Sequence, residues 1–274
     1  MPALTAAAVG ILQAADPALK VARSHQAAAL WRQNGFSEIG AVPPPERPSR
    51  PERPVLKAAR DMPKRRARGG RENRIALLHA LAHIELNAID LAWDLIARFA
   101  GGGLPRAFFD DWITVADEEA THHGLLTGRL QELGARYGDL PAHDGLWEAA
   151  SATAGDLLAR LAVVPLVLEA RGLDVTPMMI ERLEAGGDVA SADILRMIYR
   201  DEIKHVAAGS RWFAWEAARR GVAAIETYHG LVRRYFRGVL KPPFNDCARR
   251  AAGFSDAYYA PLAAVAQEPA VPVH

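Results

Sequence analysis

Glu119 and His122 stand three residues apart in "DEEATHHG" (117–124), and Glu202 and His205 repeat that spacing in "RDEIKHVA" (200–207). On a helix, positions i and i+3 project from the same side. Each pair therefore offers one carboxylate and one imidazole to a single point. The side that carries Glu119 also carries Trp112, Val115, Ala116, His123, Leu126 and Leu130. The side that carries Glu202 also carries Leu195, Ile198, Tyr199, Val206, Gly209 and Phe213. These stripes are mostly apolar, so both should face a core. Two more acids sit in apolar surroundings. Glu85 is the lone carboxylate among Leu78, Leu81, Ala82, Ala88, Ile89 and Ala92, and Glu169 ends the uncharged run of "VVPLVLEARG".

The spacings agree with one another. Glu85 to Glu119 is 34 residues and Glu169 to Glu202 is 33. Phe99 lies 14 residues after Glu85 and Pro105 lies 14 before Glu119, so an antiparallel hairpin brings both acids to one level. The second pair has arms of 16 (to Ala185) and 14 (from Asp188). The chain reads as two hairpins, each supplying Glu and then Glu-x-x-His. Buried carboxylates must be compensated or stay protonated. Four of them carry −4, and two divalent ions would balance that charge while two neutral imidazoles complete the shell. Carboxylate oxygen with imidazole suits iron or manganese better than a thiolate-seeking metal.

Neighbouring residues compete for roles. Glu118 could replace Glu119 as ligand, but only Glu119 has a histidine three residues on. Asp117 and Asp201 are candidate hydrogen-bond acceptors for the ligand histidines, or members of a solvated face. His123 is a spare imidazole whose twin position is Val206. His79 and His83 form an i, i+4 pair, but at 100° per residue they lie about 120–160° from Glu85 and belong between helices rather than in the site. Trp112 and Tyr199 lie one or two turns from ligands, where core packing or an electron relay would place them.

These residues need long helices to position them. The helical apolar period starts at Arg71 and runs to Phe99, stopping at Gly101-Gly102-Gly103. A second helix begins near Pro105 and contains Glu119. A third is expected over about Leu146–Arg171, breaking at "GLDVTP", with "PMMIERLEAGG" as a separate short piece. A break beside Glu169 would open a pocket bounded by Glu169 and residues 172–177. A fourth helix runs from Asp188 to Arg219, residues 4–35 hold one or two helices, and 222–240 is helical. No stretch alternates as a sheet strand does, so the fold class is all-α. The expected organisation is one domain over 1–274: an N-terminal helical segment (1–41), a Pro/Arg-rich strap (42–70), a four-helix metal-binding bundle (71–220) and a C-terminal extension (221–274).

Of the 274 residues half are apolar and the formal charge is +1, so the chain as a whole is not drawn to nucleic acid or membrane. The strap is the exception: residues 46–71 hold ten Lys/Arg against three acids. It either grips an anion such as RNA or wraps its own domain. Cys247, the only cysteine, fits a reducing cytoplasm. The N-terminus makes a poor signal peptide, and no uncharged apolar run reaches the ~18 residues of a spanning helix. The expected location is cytoplasmic, without a membrane partner.

With its motifs "LLHALAHIELNAIDLAWD", "DEEATHH", "YGDLPAHDGLWE", "VPLVLEARGLDVTP" and "DEIKHVAAGSRWF", the chain resembles the ferritin-like proteins of unknown function, over about residues 10–255. The resemblance implies a ferritin-like four-helix bundle of the kind that holds di-iron or di-manganese centres. It implies metal ligands at Glu85, Glu119, His122, Glu169, Glu202 and His205, and two iron ions, with Mn/Fe or Mn/Mn as alternatives. A more distant likeness, in ligand order only, is to the di-iron hydroxylase that acts on a modified tRNA adenosine. An O2-dependent oxidoreductase acting on a small molecule, served by an external electron donor, is the expected function. A ferroxidase or a non-catalytic iron-binding protein is the alternative. About 70 residues before the bundle and 54 after it suit pocket walls better than a storage shell. A single cysteine excludes an iron site built from four thiolates within the chain.

Overall fold

The computed structural model describes residues 2–62 and 70–263, and its regular elements are all helices, with no β-strand among the described residues. In chain order they are α1 (Leu4–Leu12), α2 (Pro17–Arg32), α3 (Arg71–Phe99), α4 (Arg106–Glu132) and α5 (Gly145–Ala152). After these come α6 (Leu157–Val163), a π-turn (Val164–Glu169), α7 (Ala170–Ala185) and α8 (Val189–Arg219). Last are α9 (Ala224–Tyr235), α10 (Asp246–Ala251) and α11 (Asp256–Tyr259).

Local chemistry sets the boundaries. Asp16 caps α2 by accepting from the Leu19 amide at 2.7 Å, with Pro17 in the first turn. Asp188 caps α8 through the Ser191 amide at 3.1 Å. The turn between α3 and α4 ends at Gly103 with φ +67°, a left-handed value that suits glycine.

Four long rods surround the interior: α3, α4, the joined α6–π–α7 segment, and α8. α3 packs along α4, α7 along α8, and α4 and α6 against α8, whereas α3 against α7 is not one of the close packings. α1 covers α3, α2 covers α4 and α9 covers α6. The core between them holds Trp93, Phe108, Leu161 and Phe213, all buried. Residues 71–102 are long and apolar enough to cross a membrane by composition, but they are mostly buried by their neighbours, as a core helix is.

The third helix differs from expectation in two ways. It is interrupted at Thr153–Asp156, which separates α5 from α6. It does not break at residues 172–177, because α7 continues through Gly172 and Pro177 to Ala185. Pro177 has no amide for the Leu173 carbonyl. The Asn245 side chain supplies the missing donor at 3.1 Å. The C-terminal segment also holds Asp174, through Arg249 Nε at 2.8 Å and Nη2 at 2.7 Å and the Asn245 amide at 2.9 Å.

The real irregularity lies just before α7. Pro165 cannot donate to the preceding turn, and the backbone widens by one residue into the π-turn. The Tyr228 hydroxyl donates to the Leu166 carbonyl there at 3.3 Å. Gly209 of α8 faces this turn. A β-carbon on Gly209 would lie 2.5 Å from Pro165 Cβ, so glycine lets the turn that carries Glu169 press against α8.

The N-terminal half of the strap lies on its own chain. Arg47 pairs with Asp144, and Arg50 pairs with Asp90 and donates to Asn87 at 2.6 Å. The Lys57 amide bonds the Ala142 carbonyl at 2.8 Å. Of the two readings of the strap, these contacts match the wrapped arm. The basic tract Lys64–Arg68 lies outside the described residues.

Asp90 and Asp94 point about 140° and 180° away from Glu85 around α3. Asp90 meets the buried ammonium of Lys20, and Asp94 accepts from buried Arg160 at 2.6 Å. Asp90→Ala should strand Lys20 without a counter-charge and lower stability by about 3–5 kcal/mol in chemical denaturation. Gly209→Ala should cost about 1–3 kcal/mol by overpacking against Pro165, read in the same experiment.

Candidate metal centre

Glu85 enters from α3, Glu119 and His122 from α4, Glu169 from the end of the π-turn, and Glu202 and His205 from α8. Ligand-type atoms of Glu85, Glu119, His122 and Glu202 all lie within 4.8 Å of one another. His122 Nδ1 is 3.6 Å from Glu85 Oε2 and 3.5 Å from Glu119 Oε2. His205 Nδ1 is 3.0 Å from Glu119 Oε1 and 3.6 Å from Glu202 Oε1. The two oxygens of Glu119 thus face different histidines, so Glu119 lies between two half-sites. Glu169 lines the same cavity as Glu85, Glu119 and Glu202.

The burial is severe: Glu119 is 0 % exposed, His122 and His205 1 %. Glu169 is half-buried, yet its Oε2 is sealed. Both oxygens of Glu119, Oε2 of Glu169 and Nδ1 of both histidines have no hydrogen-bond partner among the described residues. Buried polar atoms are rarely left this way. Five such atoms facing one interior space, all acceptors when the carboxylates are ionised and the imidazoles neutral, fit a bound cation.

The outer edges of both imidazoles are held. His122 Nε2 meets Asp201 Oδ2 at 3.2 Å, and His205 Nε2 meets Glu118 Oε2 at 2.7 Å. Each acid lies on the helix opposite to its histidine, one residue before that helix's own clustered glutamate. A proton on Nε2 leaves the Nδ1 lone pair free to face inward. Lys204 Nζ lies 2.6 Å from Asp201 and 3.6 Å from Glu118, tying the two acids together at the surface.

Asp201 therefore takes the accepting role expected of it, and Asp117 does not. Asp117 turns away and receives His25 at 2.6 Å and Arg32. Glu118, weighed only as a rival ligand, is the acceptor instead. His123 bonds the Ala82 carbonyl at 2.8 Å, and burial lowers its pKa to about 4. His79 accepts the Gly138 amide at 2.9 Å, and His83 bonds the Tyr137 hydroxyl at 2.8 Å. Both serve the loop after α4 rather than the cluster. Tyr199 accepts from Asn245 at 2.8 Å, and Trp112 is buried in the core.

Charge is badly balanced without a cation. Burial, then the facing Glu119 carboxylate, pushes Glu85 well above the usual range and raises Glu202. Burial, then Glu202 and Glu119, does the same to Glu169. Burial opposes the charge on Glu119, but Glu85, His122 and His205 turned toward it hold it well below normal. Burial works against protonating His122, and the Glu119 and Glu85 carboxylates override it, raising the pKa to about 11. His205 is likewise raised, by Glu118, Glu119 and Glu202 against burial. These protons stand where a cation would otherwise compensate the acids.

A cavity of about 190 Å³ opens onto these carboxylates between α3 and α7. Its walls are mostly apolar, including Leu81 and Ala88 on one side and Val175 and Met179 on the other. The expected pocket beside Glu169 is present, with Gly172 and Thr176 in its wall. Its cause is the separation of α3 from α7 and the π-turn, not a broken helix.

A family model described as "Protein of unknown function (DUF455)" matches residues 13–260. The chain belongs to the DUF455 family. It is 44% identical over 233 residues to an uncharacterised protein of Haemophilus influenzae, covering 82% of this chain and 79% of that one. No solved structure matches. All six clustered residues lie within the matched span.

Two tests address this geometry. Glu118→Ala and Asp201→Ala should each weaken metal binding about 10- to 100-fold with helicity retained, whereas His83→Ala should leave it intact. Metal uptake should release at least the protons of His122 and His205. Because these groups are protonated at neutral pH before metal enters, affinity should rise with pH. Calorimetry in buffers of different ionisation enthalpy measures the release.

Proposed function

We propose that this chain is a ferritin-like, dinuclear-metal carboxylate protein, with iron as the metal, that uses O2 to oxidise a small organic substrate. The observation that carries the reading is the set of unpartnered buried donors facing one another at the floor of an apolar cavity. A structural metal site is closed by its protein ligands, while a reactive one keeps an open side. Here the open side is the α3–α7 cavity.

In this reading Glu85 and His122 would hold one ion and Glu169 and His205 the other. Glu119 and Glu202 would complete the set, since each lies close to donors of both halves. Bound as reduced iron, the pair would supply two-electron chemistry toward O2. The chain's own residues do the rest. Asp201 and Glu118 fix the tautomer and orientation of the imidazoles. The apolar wall excludes water from the reacting end and orients a substrate there. The four rods form a ferritin-like bundle, and residues 1–274 form one domain around it. An external electron donor and a cytoplasmic setting complete the proposal. The apolar cavity favours an oxygenase or oxidase over iron handling alone, because moving iron ions needs a polar route.

The test starts with metal content. Protein produced with ample iron should carry close to two metal ions per chain. Glu119→Ala, which removes the carboxylate shared by both half-sites, should lose most of them while remaining helical. Full occupancy in that variant would overturn the assignment. Rapid O2 uptake by the reduced, iron-loaded protein is the expected second readout.

A further inference from the structure

Among the described residues, Arg171 is the one cation in the wall of the cavity that holds the carboxylate cluster. The remaining polar lining consists of Glu85, Glu119, Glu169, Glu202 and Thr176, and the other lining residues are apolar apart from Gly172. Arg171 is 42 % exposed, as is Ile84 on the α3 side, so the mouth of the cavity lies between them.

The charge of Arg171 is poorly spent within the protein. Its Nη1 donates to the Lys241 carbonyl at 2.7 Å, which positions the guanidinium without neutralising it. The same Nη1 also donates to Asp174 Oδ2, in a long ion pair of 3.4 Å. That carboxylate is already engaged by the two-pronged contact with buried Arg249 and by the Asn245 amide. A guanidinium keeps further N–H donors beyond the one on Lys241, in a planar fork suited to a carboxylate.

The interior has the opposite character. An apolar cavity of about 150 Å³ is enough to hold benzene. This one, at about 190 Å³, takes an aryl group or a short alkyl chain. Its far end is the carboxylate cluster, which repels an anion unless metal is bound, so an acidic head is directed to the mouth.

We propose that the cavity binds a small apolar carboxylic acid, its carboxylate on Arg171 and its alkyl or aryl end directed at the cluster of Glu85, Glu119, Glu169 and Glu202. This rests on the oxidative reading only for what happens to the buried end; the binding stands without it.

Octanoate is the probe, compared with octan-1-ol and octylammonium by calorimetry on the purified protein, with metal content measured in the same samples. Octanoate should bind at least about tenfold more tightly than octan-1-ol, a modest expectation for a charge-assisted pair. Octylammonium should bind worst. Arg171→Met, which keeps the length of the side chain, should abolish the preference for the acid. Arg171→Lys should keep part of it, which separates the charge from the anchoring of Lys241. Val175→Phe, filling the cavity from α7, should weaken all three ligands. Equal affinity for acid and alcohol would overturn the proposal. So would a preference that survives Arg171→Met, since the carboxylate would then sit on the metals. No preference for the acid in the unsubstituted protein, with two metals present, sinks this inference alone; absence of metal sinks the reading of the centre.

Discussion

Four carboxyl groups cannot all be ionised in one dry interior without positive charge among them. Much of the site's surroundings answers that requirement. Burial pushes Glu85, Glu169 and Glu202 toward their neutral forms, while Glu119 is kept charged by the groups around it. Protons can meet part of the demand, and both histidines are held ready to carry them. Protons still leave five buried donor atoms without a hydrogen bond. The energetic frustration is local, and the four rods that enclose it are otherwise densely apolar. The cluster is thus the least satisfied part of a well-packed interior, as expected of a site that gains its stability from a ligand.

The rest of the molecule holds the rods in place against that repulsion. α3 is buried all round from Glu85 to Ala97, and its outer face there is fastened by charge: Lys20 and Arg50 on Asp90, Arg98 and Arg160 on Asp94. The N-terminal helices and the strap therefore brace the helix that delivers Glu85. At the other side of the cavity, α9 supports the π-turn through Tyr228, and the segment around Asn245 and Arg249 supports α7. The parts outside the four rods are structural braces for the two walls of the cavity.

Much of the centre could be read from the residues alone, because a lone acid in an apolar helical stripe is unusual and periodicity is a local property. That reasoning places Glu85, Glu119 and Glu202 inward, with α3, α4 and α8 close to their observed bounds. It fails where the answer depends on a neighbour. Pro177 looks like a helix stop until Asn245, 68 residues later, supplies the missing donor. Asp117 and Glu118 are both off the Glu119 stripe, and which of them reaches His205 is decided by how α4 crosses α8, the other turning to His25 of α2. Asp90 and Asp94 lie off the Glu85 stripe, and only the folded chain shows that Lys20 of α2 and Arg50 of the strap meet the first and Arg160 of α6 the second. The family comparison fixes kinship over most of the chain but attaches no activity to it.

The two acids that hold the imidazoles are crossed between the hairpins. Glu118 of α4 completes the histidine of α8, and Asp201 of α8 completes the histidine of α4. Neither hairpin can finish its own half of the centre. Sliding α4 past α8 by a single turn, about 5.4 Å, would detach both imidazoles at once. The exchange therefore acts as a register lock between the two halves of the chain: both acid–imidazole contacts form only when the hairpins are docked at one level.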